Sequence, residues 1–197
     1  MHNTHQHAHI QFLEKKHMSR KIRVVTFFIF MGLFSVAYQI GSFYEVGEED
    51  AEIFLEEFEE LVGDIDAIGI FLHNASIALP MFIPGFGIGW GFFTAWSTGY
   101  AFSAITVLVP ELSKIPPLAI LYLSPFGLME LTAYSLGTSR SFILIHMIIK
   151  KVNLRPAIRG TAIEIGVMIG LLLAGGFLED YMIKLTEESG LFSGILD

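Results

Sequence analysis

Long apolar stretches divide the chain into predicted membrane-spanning helices. Residues 24–44 contain no Asp, Glu, Lys or Arg. A helix of these 21 residues reaches about 30 Å, which is the thickness of the hydrocarbon core of a bilayer. A basic segment precedes this stretch, but no small-residue cleavage site follows it. The pattern therefore predicts an uncleaved first span over residues 24–44.

The longest uncharged stretch, residues 67–109, predicts two spans joined by a tight turn. Its 43 residues would form a helix of about 65 Å, roughly twice the thickness of the hydrocarbon core. Pro80 and Pro84 remove backbone amide donors, and the glycines that follow tolerate a turn. We therefore place the second and third spans at residues 66–84 and 89–109.

An acidic segment separates the first span from the second. Residues 45–66 hold eleven acidic side chains and no Lys or Arg. Ala51, Phe54 and Leu55 begin an apolar stripe at helical spacing, and the acidic side chains occupy the other face. The pattern predicts an amphipathic extracytoplasmic helix near residues 48–63.

A proline interrupts the next apolar stretch. Residues 118–149 are too long for one upright span, and a Pro-Phe-Gly sequence from Pro125 to Gly127 divides them. We therefore predict a broken helix near residues 116–127, followed by a fourth span over residues 128–149. A break at membrane depth is tolerated only where protein or a water-filled cavity surrounds it.

The distribution of lysine and arginine predicts the orientation. A last apolar run predicts a fifth span over residues 160–178, and nine of the twelve basic residues lie before residue 24 or in residues 150–159. Five spans place both basic groups on the cytoplasmic side, as the positive-inside rule requires. The prediction is an all-α, polytopic transmembrane helical bundle in the cell membrane. It divides into a cytoplasmic His-rich and basic segment (1–23), a single transmembrane domain (24–183) and an acidic extracytoplasmic tail (184–197).

Composition supports a membrane protein and excludes several other classes. Hydrophobic residues make up 53% of the chain and charged residues 16%, whereas soluble domains contain about 25% charged residues. The net charge of −8 excludes nucleic acid as a partner, because a duplex demands a basic face. The lipid bilayer is the predicted environment. The absence of cysteine excludes disulfides and thiol chemistry.

A few polar side chains fall inside the predicted spans, where they are expected to face protein or water because exposure to lipid is costly. Glu164 lies at a depth that Arg140 can reach, so we hypothesise that these two side chains form a pair. Such a pair either fixes helix packing or takes part in transport or gating. The full set of intramembrane candidates comprises His73, Asn74, Glu130, Arg140 and Glu164.

Glu130 is the candidate with the least evident partner. It follows the Ser-Pro-Phe-Gly sequence by three residues and has no basic neighbour in the sequence. One hypothesis is a protonated carboxyl that couples to protons or cations, as in transporters with broken helices. The other is that Glu130 accepts hydrogen bonds from the backbone amides freed by the break.

Small residues and histidines supply the remaining candidates. Glycines at GxxxG spacing let membrane helices approach closely, and homo-oligomers or other membrane proteins are the partners they predict. The histidines at positions 2, 5, 7, 9 and 17 lie in a segment without a predicted fixed geometry, so we predict no metal site there. The predicted packing glycines are Gly85, Gly87, Gly89, Gly91, Gly166 and Gly170.

The sequence carries no catalytic signature. We find no nucleophile with a nearby base, no metalloprotease motif and no phosphate-binding loop. The glycines of residues 85–91 join two spans and so lack the strand-turn-helix context of a nucleotide site. We therefore predict a protein without enzymatic activity and without a cofactor.

Two segments resemble the stage II sporulation protein M family of membrane proteins. They are residues 71–78 (FLHNASIA), which contain Asn74, and residues 123–131 (LSPFGLMEL). The family pattern of Pro-His-Gly followed by Glu-Leu is matched at Pro125, Gly127, Glu130 and Leu131, whereas Phe126 replaces the common histidine. The resemblance extends from about residue 20 to residue 180. The short length and the acidic helix are similar to those of archaeal relatives.

The resemblance implies a membrane protein without known catalysis, and two functions remain open. The family's namesake is similar to a scaffold that recruits peptidoglycan-remodelling partners during bacterial engulfment. The first hypothesis is therefore a non-enzymatic scaffold or accessory subunit of a membrane assembly. The second is a small channel or transporter for an ion or small solute, which uses Glu130 and the broken helix.

Overall fold

The computed structural model describes residues 19–62 and 66–188, and every regular element in these residues is helical. The predicted all-α fold is therefore confirmed for this part of the chain. Two short 3₁₀ turns, at Leu79–Phe82 and Pro110–Lys114, follow the third and fourth helices. The α-helices are α1 (Arg20–Ser42), α2 (Glu48–Val62), α3 (Ala67–Ala78), α4 (Phe86–Leu108), α5 (Pro117–Leu123), α6 (Pro125–Ile149) and α7 (Arg155–Glu188).

Two helices extend beyond the bounds of the predicted transmembrane domain. Helix α1 begins at Arg20 rather than at residue 24, so the last basic residues of the predicted flank are helical. Helix α7 continues to Glu188, so the predicted tail is helical over residues 184–188. The Lys184 ammonium bonds the Asp180 carboxylate one turn earlier at 2.7 Å, which supports the helix beyond the apolar run. The N-terminal histidines and residues 189–197 lie outside the described residues.

The predicted break lies at Ser124, between α5 and α6. Ser124 caps α6, because its Oγ accepts a hydrogen bond from the Gly127 amide at 3.1 Å and its carbonyl accepts one from the Leu128 amide at 3.0 Å. The same hydroxyl donates to the Ile120 carbonyl at 2.6 Å. Pro125 occupies the first turn of α6, where no amide donor is needed. The backbone groups at the break are thus satisfied locally.

Two helices are long and apolar enough to cross a membrane, by length and composition: α1 and residues Arg155–Leu185 of α7. Only 33% and 22% of their most apolar windows are buried inside the protein. A core helix of a soluble protein would be mostly buried, so these exposed apolar faces indicate contact with lipid. Large hydrophobic side chains such as Phe28, Ile163 and Phe177 are more than half exposed.

Helices α1 and α4 pack closely against each other, and two glycines permit it. A methyl group at Gly41 would overlap the Trp96 carbonyl oxygen, and one at Gly99 would overlap the Tyr38 carbonyl oxygen. Neither glycine belongs to the predicted set. The core beside this contact contains Phe34, Tyr134, Met168 and Leu172 from α1, α6 and α7.

The predicted packing glycines fall into two groups. A methyl group at Gly87 would overlap the Met81 carbonyl, and one at Gly91 would overlap the Thr138 side chain, so both lie at close contacts. Gly85 has a φ of 80° and forms the turn before α4. The other three make no close contact with the described residues, because none of their atoms lies within 4 Å of a methyl group placed at Gly89, Gly166 or Gly170.

The amphipathic helix is present as α2, close to its predicted bounds. It packs against α4, where the rings of Phe54 and Tyr100 meet edge to face at 5.7 Å, and Ala51 is fully buried. The acidic side chains of Glu52, Glu56 and Glu57 are exposed. Helix α2 therefore lies at the end of the bundle where α1 and α4 end.

Candidate functional site

The polar side chains of the bundle gather at two places, one near each end. Arg23 at the start of α1, Ser139 and Arg140 in α6, and Glu164 near the start of α7 form what we call the arginine cluster. The second group lines a cavity that extends along α4 from Trp90 to Ile105 and reaches the C-terminal part of α7. Glu164 and Glu179 are fifteen residues apart on α7, which is about 22 Å along a helix axis.

The arginine cluster is built around one carboxylate. The Arg140 Nε donates to the Glu164 Oε2 at 2.7 Å, and the Arg140 Nη2 contacts the Glu164 Oε1. The predicted pairing of Arg140 with Glu164 is thus confirmed as a contact. Arg23 binds the same carboxylate from α1, with its Nε 2.5 Å from Oε1 and its Nη2 2.9 Å from Oε2.

Arg23 also bonds groups on α6. Its Nη1 donates to the Ser139 Oγ at 2.8 Å and its Nη2 to the Leu136 carbonyl at 3.2 Å. The side chains of Arg23, Arg140 and Glu164 are only 16%, 9% and 15% exposed. Two guanidinium groups therefore share one buried carboxylate, and the network joins α1, α6 and α7 with an excess of one positive charge.

Arg23 is the member that sequence reasoning missed. It stands directly before the first uncharged stretch, so it was assigned to the basic cytoplasmic flank. The signal that could have identified it is the depth of Arg23 relative to the first apolar helix. Arg23 lies in the first turn of α1, and a long arginine side chain there can reach inward to a carboxylate about one or two turns into a neighbouring helix.

The cavity at the other end has a volume of about 990 Å³, and we call it the acidic cavity. Its walls come from α1 and from α3 through α7, and Phe54 of α2 lies at its edge. It contains three of the five predicted intramembrane candidates, His73, Asn74 and Glu130. The sequence-predicted candidates therefore divide between two places and do not form one site.

Glu130 is held by a short chain of hydrogen bonds. The Tyr134 hydroxyl donates to the Asn74 Oδ1 at 3.0 Å, and the Asn74 Nδ2 donates to the Glu130 Oε1 at 2.8 Å. Among the described residues, the Glu130 Oε2 accepts no hydrogen bond and no basic side chain pairs with this carboxyl. The alternative in which Glu130 accepts bonds from the freed amides is wrong, because Ser124 accepts those of Gly127 and Leu128.

Acidic groups predominate among the charged side chains of the cavity. Glu179 lines the same cavity as Glu130, and Asp180 bonds Lys184. Asp66 caps α3 by accepting a hydrogen bond from the Gly69 amide at 2.9 Å. His73, which is exposed, is the remaining titratable side chain besides the two tyrosines. Among the described residues, four carboxyl groups and one ammonium group thus line the cavity.

Aromatic side chains of α4 form another part of the wall. The Trp90 Nε1 donates to the Ile77 carbonyl at 2.9 Å, which fixes the indole against α3. Its ring centroid lies 5.8 Å from that of Phe93. Thr94 and Thr98 follow on the same helix, and each hydroxyl bonds the carbonyl four residues earlier. The wall therefore combines aromatic rings with an indole N–H and two hydroxyl groups that already donate to backbone carbonyls.

The donor set does not match a metal centre. Within residues 19–62 and 66–188, no three His, Cys, Asp or Glu side chains lie close enough together to hold a metal ion. The residues that bind and orient one another here are instead a carboxamide, a phenol and a carboxyl group. Such a set suits hydrogen bonding to a solute.

Comparison with known proteins gives one match. The family described as stage II sporulation protein M matches residues 22–182, a region that includes Arg23, Glu130 and Glu164. No curated protein and no solved structure matches the chain. The match covers most of the chain, and the two apolar helices agree with the membrane location that the composition predicts. This chain therefore belongs to the stage II sporulation protein M family.

Proposed function

We propose that this chain is a five-span, non-enzymatic membrane protein that takes up a small ion or solute in the acidic cavity and moves it across the bilayer. Besides α1 and α7, the spans are α3 with its following turn, α4 and α6. Helices α4 and α6 contain 23 and 25 residues, and about 20 residues are enough to cross the hydrocarbon core. The N-terminus is cytoplasmic and the C-terminus extracytoplasmic.

The observation that carries this proposal is the place of Glu130 in the cavity wall. A carboxyl group within a span is costly and marks a solute or ion pathway when it lines a polar cavity. Glu130 lies one turn after the break between α5 and α6 and lines a cavity of about 990 Å³. Broken helices beside an intramembrane carboxyl are typical of transport sites.

The arginine cluster is the proposed closure on the cytoplasmic side. It lies on the side of Arg20 and Lys150, which belong to the two basic groups, whereas the cavity lies beside the acidic helix α2. The bonds of Glu164 to Arg23 and Arg140 hold α1, α6 and α7 together there. Passage of a solute would require these three helices to separate at that end.

A second candidate, a scaffold or accessory subunit, is supported by the open face of α7. Gly166 and Gly170 have no neighbouring atom within 4 Å of an added methyl group, and Ile163 and Val167 beside them are about half exposed. Small residues on such a face permit close docking of another membrane helix. A homo-oligomer or another membrane protein would be the partner.

Access to the cavity can be tested by labelling single cysteines, because the chain contains none. The variant Ser97→Cys places a thiol in the cavity wall, and Ser113→Cys and Asn153→Cys place one on the exposed loops at opposite ends. A membrane-impermeant maleimide added outside intact cells is expected to modify Ser97→Cys and Ser113→Cys, and to modify Asn153→Cys only after permeabilisation. Modification of Ser97→Cys only after permeabilisation would mean that the cavity opens to the cytoplasm, which is opposite to the proposed side.

A further inference from the structure

We infer that the solute taken up by the acidic cavity is a small protonated amine. This inference rests on the proposed function and names its substrate class. Three properties of the cavity carry it: the sign of its charges, the direction of its hydrogen bonds and the aromatic rings in its wall.

The charges of the cavity favour a cation over an anion or a neutral solute. Four carboxyl groups line it, from Asp66, Glu130, Glu179 and Asp180. In the described part of the chain, the one ammonium group that lines it belongs to Lys184 and is bonded to Asp180. Glu130 of α6 and Glu179 of α7 line the same cavity, so a cationic group between them would be attracted to both carboxyl groups.

The hydrogen bonds of the cavity favour a cation that carries N–H groups. In the chain from Tyr134 through Asn74 to Glu130, every donor points toward the carboxyl. The Glu130 Oε1 accepts one of these bonds, and Oε2 receives no hydrogen bond from the described residues. A carboxyl oxygen that only accepts is complemented by a donor of the ligand, and an ammonium N–H gives a strong charge-assisted bond.

The aromatic wall suits the charge and the alkyl part of an amine. Trp90 and Phe93 lie side by side on α4, and Tyr38 and Phe102 line the same cavity. Ammonium groups are attracted to such ring faces at distances up to about 6 Å. Methylene groups of the ligand would displace water from the same apolar surface.

The size of the cavity argues against a bare metal ion. A dehydrated ion needs several ligands on one point, and in the described part of the chain no three His, Cys, Asp or Glu side chains cluster in this way. A cavity of about 990 Å³ instead lies in the range of pockets that hold organic molecules. The acidic groups are also spread over α3, α6 and α7 rather than gathered on one loop.

Calorimetric binding to the full-length protein in lipid nanodiscs tests this inference. The ligands are 1,4-diaminobutane, butane-1,4-diol and succinate, which share a four-carbon chain and differ in charge. We expect binding of the diamine alone. The variants Glu130→Gln and Glu179→Gln are each expected to weaken it at least tenfold. The matched control Glu111→Gln, which removes an exposed carboxyl outside the cavity, is expected to leave binding unchanged.

Other outcomes overturn the inference in distinguishable ways. Diamine binding that is insensitive to both cavity variants would place the cation on another acidic surface, such as α2. Binding of the diol or of succinate that Glu130→Gln weakens would retain the proposed solute cavity and reject the amine. Absence of binding by all three ligands, together with an unlabelled Ser97→Cys, would reject the cavity as a solute site altogether. Gel filtration of each variant shows whether it is folded. If Glu130→Gln misfolds, Glu179→Gln provides the second test of the cavity.

Discussion

Replacement of Glu164 by glutamine is expected to destabilise the protein by about 3–5 kcal/mol, because it leaves buried charges without compensation. Arg23 and Arg140 both bind this carboxylate, and its removal places two guanidinium groups against each other. Arg23→Gln or Arg140→Gln removes only one partner and retains one ion pair, so each should cost less. Reversible unfolding in mixed detergent micelles measures all three variants, with the exposed Glu111→Gln as the control.

An exchange of charges tests whether Arg23 is a true third partner. In the double variant Arg140→Glu/Glu164→Arg, the original pair is reversed, but the new arginine on α7 would face Arg23. We therefore expect the exchange to restore only part of the lost stability. Full restoration would show that Arg23 contributes nothing to the cluster. If the double variant is no more stable than Glu164→Arg alone, the result would argue against the pairing of Arg140 with Glu164.

Gly99→Ala is expected to destabilise the protein although alanine is the better helix former. A methyl group at this position would overlap the Tyr38 carbonyl, so α1 and α4 would have to separate. Overpacking of this kind costs about 1–3 kcal/mol or more, which exceeds a gain of up to about 1 kcal/mol in helix propensity. The same unfolding measurement should give a net loss, and Gly41→Ala should behave alike because it would overlap the Trp96 carbonyl.

Gly89→Ala on the same helix is the matched control. No neighbouring atom lies within 4 Å of its added methyl group, so only the propensity gain remains. We expect unchanged or slightly increased stability. Equal losses for Gly89→Ala and Gly99→Ala would mean that the effect arises from α4 itself and not from its contact with α1.

The helices could be predicted because their signals are local. Hydropathy and proline place α1, α4 and α6, and the Ser-Pro sequence places the break at Ser124 within the predicted segment. The extension of α7 to Glu188 was missed because a drop in hydropathy marks the end of an apolar run and not the end of a helix. Helix formers continue through that region without glycine or proline.

Contacts between distant helices were predicted less well. The pair of Arg140 and Glu164 followed from matching depths in two spans, whereas Arg23 resembled an ordinary basic flank. GxxxG spacing identifies a face of small residues, but it does not say whether this chain covers that face. The described residues leave Gly166 and Gly170 uncovered, whereas Gly41 and Gly99 pack closely without any such motif.

The acidic cavity was beyond sequence reasoning because its walls come from several helices that are distant in the sequence. Glu130 and Asn74 were both candidates, yet they are 56 residues apart and no pattern joins them. Glu179 was not a candidate because it follows the last predicted span, which ends at residue 178. Only the packing of α3, α6 and α7 brings these three groups into one wall.

Uptake of 1,4-diaminobutane into proteoliposomes that contain the full-length protein tests the central claim, transport through the acidic cavity, most directly. The diamine is doubly charged at neutral pH and crosses lipid poorly, so its uptake measures transport by the protein. We expect saturable uptake that falls at least tenfold with Glu130→Gln and is retained with Glu111→Gln. Absence of uptake of the diamine and of Na⁺ by correctly folded protein would contradict the account and favour the scaffold.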